Sequence, residues 1–173
     1  MRGFLAAHGY DPGPTQRPYL AGALGGIAAA FPAVAALWWF GSLEAEARIL
    51  DLSIAATLGI GWPTMAVAGA AYARLFGRAA NDSKGGWLFG MAFGFALWAA
   101  GAVLVLPLLS GGQIPAGAAA AGLFFSLLLW GAGLGLSVPL IHPHLQERLE
   151  SAFKSARVGP TAGTRKTGPH EHR

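Results

Sequence analysis

No Asp, Glu, Lys or Arg lies between Arg17 and Glu44, between Asp51 and Arg74, or between Lys84 and Glu147. A hydrocarbon core about 30 Å thick is crossed by roughly 20 residues of helix rising about 1.5 Å each. The first two gaps each fit one crossing. The third fits two, because the turn-rich hexapeptide SGGQIP at 110–115 interrupts it. The chain therefore reads as all-α and polytopic: a four-transmembrane-helix bundle over 19–139, with helices at 19–40, 52–73, 86–109 and 116–139. Helix satisfies every backbone group internally where no water is present to do so. Buried helices of a soluble protein are the competing reading. Four such runs, in a chain only 12% charged where soluble domains have about 25%, argue against it. The first apolar segment is too long for a signal peptide. The absence of cysteine excludes disulfides and thiolate metal sites.

The 12 basic residues are distributed unevenly across these crossings. Arg2 and Arg17, then Arg74, Arg78 and Lys84, then Arg148, Lys154, Arg157, Arg165, Lys166 and Arg173 fall on one side, and only Arg48 on the other. The positive-inside rule puts both termini and the second loop on the cytoplasmic side. The outer loops, 41–51 and 110–115, are too short to hold a folded domain. The net charge of +4 is then a topology signal. The basic residues are dispersed and form no nucleic-acid-binding module, so no nucleic-acid partner is expected.

Within the third helix, GGWLFGMAFGFALW (85–98) sets Gly86, Gly90, Gly94 and Trp98 at four-residue steps. Lipid supplies no hydrophobic pressure between helices, so close backbone approach and dispersion must hold them. A row of glycines on one face makes a groove for a second helix. Gly22 and Gly26 with Ala30 form a similar stripe on the first helix, and Ala118 with Gly122 and Gly131 with Gly135 do so on the fourth. A weak likeness between the segments starting at Tyr19 and Trp87 hints at a two-plus-two repeat, at a level this composition gives by chance.

Trp38, Trp39 and Trp87 fall at the interface, where tryptophan is usual, but Trp62, Trp98 and Trp130 fall near mid-helix. A buried indole N–H needs an acceptor. A mid-helix proline frees the carbonyl four residues earlier, so Pro32 should free that of Ala28 and Pro63 that of Gly59. The expectation is a midplane layer in which these indoles donate across helices to the freed carbonyls.

Chemistry-bearing groups lie outside the spans. Glu44 and Arg48 in SLEAEARILDL have the favourable i, i+4 spacing and Asp51 continues their face, which reads as a short solvated helix; a site for a cation is a lesser reading of Glu44, Glu46 and Asp51. His142 with His144, and His170 with His172, form two H-x-H pairs that lack further ligands, so neither a metal site nor a cofactor is expected. Residues 140–157 read as an amphipathic helix lying on the cytoplasmic leaflet or against a partner. Residues 158–173, rich in Gly, Pro, Thr and charge, read as a disordered cytoplasmic tail, and 1–18 as a loosely held one.

The pattern GWLFGMAFGFALWAAGAVLVLP, glycines at four-residue spacing followed by Trp98 and Pro107, resembles small bacterial inner-membrane proteins of the YagU-like kind over about residues 72–109. That resemblance implies a four-helix membrane bundle and offers no catalytic residues to carry over.

With no ionisable group in the spans, shape and close contact are what the residues supply. The expected function is that of a structural or accessory membrane protein, acting through helix–helix association with itself or a membrane-protein partner in the lipid bilayer. The alternative is an oligomeric small-solute permease or channel subunit with a site near the proline-interrupted first and second helices, since broken helices line binding sites. A polar cavity reaching Thr57 and Thr64 would favour transport, and a dry glycine-lined seam would favour assembly. An enzyme would have to draw on Glu44, Asp51, His142 or His144, and none is expected.

Overall fold

The computed structural model describes residues 17–157 apart from position 83. The expectations for the 158–173 tail, for nearly all of the 1–18 tail, and for His170 and His172 lie outside the described residues. Five helices account for the fold: α1 (Pro18–Trp39), α2 (Ser42–Ile49), α3 (Ile54–Phe76), α4 (Gly86–Leu109) and α5 (Gly117–Arg157). No strand occurs among the described residues. Four of the helices, α1, α3, α4 and α5 as far as His142, are long and apolar enough to cross a membrane.

Local chemistry sets the helix ends. Pro18 occupies the first turn of α1, where its missing N–H costs nothing. Gly41 takes a positive φ of 66°, which lets the chain turn directly from α1 into α2. Ser53 caps α3 by accepting a hydrogen bond from the Ala56 N–H at 3.2 Å. In α4 the ladder changes register: Ala99–Val105 is π-helical between α-helical ends. Pro107 explains the change, because its ring crowds the carbonyl of Val103 and a wider turn just before it relieves that crowding.

The expected break at residue 140 is absent. α5 runs unbroken through Pro139 and Pro143 to Arg157, so the amphipathic segment continues the last span instead of folding away from it. The two prolines are four residues apart and share one helix side, so their missing donors leave the rest of the ladder intact.

In cross-section the spans follow the order α3, α1, α5, α4. α1 packs on both α3 and α5, α5 on α4, and α3 scarcely touches α4. The exception lies at the end where α3 stops and α4 starts. There Tyr72 and Phe76 of α3 meet Phe89 and Phe93 of α4, with ring centroids 5.5 to 6.1 Å apart, and Phe93 also touches Trp130 of α5. The buried Tyr72 hydroxyl donates to the Gly86 carbonyl at 3.0 Å. Removing that hydroxyl in Tyr72→Phe should cost about 1 kcal/mol, read as a shift in the midpoint of unfolding by denaturing detergent. At the opposite end α2 lies across α1, α3 and α5, tied to α5 by the Ser42 hydroxyl, which donates to the Ala119 carbonyl at 2.9 Å.

Candidate functional site

The glycine rows come together inside the single chain. Gly86, Gly90 and Gly94 of α4 lie against Gly135, Gly131 and Leu127 of α5, so closely that a Cβ on Gly90 would fall on the Gly131 carbonyl. Gly22 and Gly26 of α1 lie against Gly69 and Met65 of α3. Gly69 was not among the expected contact positions; its partner could be identified only once α1 and α3 were placed side by side.

The midplane aromatics divide. Trp130 is fully buried and its indole N–H donates to the carbonyl of Gly26 in α1 at 2.9 Å, bridging residues 104 apart in sequence. The acceptor is not one of the proline-freed carbonyls. Ala28 and Gly59 are exposed, as are Pro32 and Pro63, so those carbonyls belong to the outer side of the bundle, away from Trp130. Trp62 and Trp98 do not make the expected hydrogen bond among the described residues. Trp62 sits edge-on to Phe31 at 4.8 Å, and Trp98 packs on Phe124 at 5.0 Å and Phe95 at 5.7 Å.

The expected ion pair on α2 is also replaced. Arg48 Nε donates to the Glu44 backbone carbonyl at 3.3 Å, and Glu44 Oε2 is enclosed with no hydrogen-bond partner among the described residues. Glu46 lies on the opposite side of α2 from Glu44 and Arg48, on the side that carries Leu43, and therefore faces the bundle, while Asp51 falls past the end of the helix.

Beneath α2 are two cavities. One, of about 120 Å³, lies between α1, α3 and α5 and is lined by Ala33, Thr57, Gly61, Trp62 and Ser126. The other, of about 300 Å³, occupies the gap between α3 and α4, with Thr64 on one wall and Gly101, Ala102 and Val105 of the π-helical turn on the other. Glu46, Met65, Leu123 and Leu127 line both. Glu46 is the single ionisable residue in either wall, and burial holds its carboxyl above the ordinary carboxylate range. The hydroxyls are already turned back on their own helices: Thr57 donates to Ser53 O at 3.1 Å, Thr64 to Ile60 O at 2.8 Å, and Ser126 to Leu123 O at 3.0 Å.

Compared with known proteins, the chain matches no family model, no curated protein and no solved structure. His142 is about 35 Å along α5 from Ala119, where α2 docks, and so stands far from Glu44. Among the described residues no three His, Asp or Glu side chains are grouped to hold a metal.

Proposed function

We propose that the protein is a permease or carrier subunit of the bacterial inner membrane, multi-pass with both termini cytoplasmic, which holds a small and mostly apolar solute beneath α2. The observation that carries this reading is the pair of cavities sharing Glu46, one reaching Thr57 and the other Thr64. π-helical turns recur at functional sites, and here one forms a wall. The charge asymmetry of the loops makes the Arg74, Arg78 and Lys84 end cytoplasmic. On that orientation the cluster of Tyr72, Phe76, Phe89 and Phe93 closes the bundle toward the cytoplasm, while the cavities lie toward the outer face.

Assembly is the less favoured reading, because the glycine faces that would have driven it are consumed within one chain. It retains one observation: the gap between α3 and α4 opens sideways, where a second copy would close it.

Filling the cavities tests the proposal. Gly61 and Gly101 each line a cavity and have free space where a Cβ would stand, so Gly61→Leu and Gly101→Leu should occupy the cavities without disturbing the packing. Small apolar and amphiphilic solutes are to be screened for raising the unfolding temperature of the full chain. At about 100 times its dissociation constant a bound solute stabilises by about 2.7 kcal/mol. The expected outcome is a solute that stabilises the native chain and has lost that effect in the filled variants. A solute set that stabilises all three proteins equally, or none, defeats the proposal.

A further inference from the structure

An unpaired carboxylate facing an apolar chamber is expensive, and neither the glycine seams nor the aromatic cluster accounts for it. We propose that Glu46 and the gap between α3 and α4 form a binding site for a lipophilic monocation, an amine or quaternary ammonium. Its charged head sits against the Glu46 carboxylate, and its apolar body lies among Met65, Leu97 and Leu127. The inference rests on the permease reading and narrows its solute.

Three observations select this class. Glu46 has no hydrogen-bond or ion-pair partner among the described residues, and no Lys, Arg or His lines either cavity, so the site offers one negative charge and nothing to hold an anion. Thr57, Thr64 and Ser126 donate to their own backbones, which leaves a sugar-like solute without free donors. The walls of the gap are otherwise apolar, which suits a hydrocarbon body and offers no second charge. Because α3 and α4 separate, an amphiphile can enter sideways from lipid.

Cation and proton then compete for the same carboxylate. On α2 itself, Arg48 is exposed and Glu44 lies on the far side of the helix; Asp51, just past its end, is exposed. The groups that α1, α3, α4 and α5 contribute to the two cavities carry no charge. Since burial raises the affinity of Glu46 for a proton, the empty site is held neutral to a higher pH than an ordinary carboxylate, and an arriving cation expels that proton to water.

The test uses the full chain in phosphatidylcholine nanodiscs, titrated calorimetrically with benzyltrimethylammonium and with neopentylbenzene, its uncharged isostere. The cation should bind more tightly than the isostere, and Glu46→Gln should weaken the cation at least about tenfold while leaving the isostere unchanged. Glu46→Asp should retain most of the cation affinity. Lowering the pH through the range in which the Glu46 carboxyl takes up its proton should weaken the cation on the native chain and not on Glu46→Gln, which mimics the protonated acid. If the Gln variant fails to fold, the pH series on the native chain decides alone. Equal affinity for cation and isostere, or a pH-independent cation affinity, overturns the proposal. Binding of the isostere alone leaves the cavity reading intact and removes the monocation; binding of neither removes both.

Discussion

Replacing Gly90 with alanine should destabilise the bundle by about 1–3 kcal/mol, the usual range for overpacking, and replacing it with leucine should detach α4 from α5. The added Cβ has no room. It would fall on the Gly131 carbonyl oxygen, 2.9 Å from the carbonyl carbon and 3.0 Å from Gly135 N, all rigid backbone. Helices that separate at Gly90 also lose the close contacts at Gly86 and Gly94. In lipid those dispersion contacts are not replaced by a hydrophobic driving force. The matched control is Gly59→Ala on α3, where a Cβ meets nothing. It should be neutral, or stabilising by up to about 1 kcal/mol through helix propensity. Unfolding in mixed denaturing detergent measures both, and equal stability of the two variants would sink the account of the α4–α5 seam.

Trp130 is expected to show the other large effect. Trp130→Ala should cost about 3 kcal/mol, the lower end of the range for aromatic truncation in water-soluble cores. The lower end applies because an unfolded segment in lipid keeps its ring in apolar surroundings. What is lost is the fit against Phe93 and the neighbouring Leu134 and Val138, together with the indole bond to Gly26. Trp130→Phe isolates the bond and should cost about 1 kcal/mol. Were the phenylalanine variant as stable as the native chain, the bond would contribute nothing. Were the alanine variant equally stable, Trp130 would not be part of the core.

The spans were legible because hydropathy alone decides them. The third coincides with α4, and the first two differ from α1 and α3 by one to three residues at their ends. The glycine stripes were legible as surfaces but not as pairs, since four helices can be matched in several ways and nothing along the chain says that Gly26 meets Gly69 and not Gly131. The proline argument misplaced the indole acceptor because a freed carbonyl is useful only on an inward face, and facing is a tertiary property. Glu46 was grouped with Glu44 and Asp51 as a lesser cation site, and its separate, inward facing was missed for a local reason. The i, i+4 spacing of Glu44 and Arg48 drew the charge of the loop to the outer side, although Leu43 and Leu50 flank Glu46 and mark the inner one. The π-helical turn leaves no signal beyond Pro107 itself.

The 41 residues of α5 form a rod about 60 Å long, twice the thickness of a hydrocarbon layer. The stretch past His142 therefore continues the helix beyond its apolar span, so the element that bears Leu123 and Leu127 on the chamber wall also carries the charged segment at its far end.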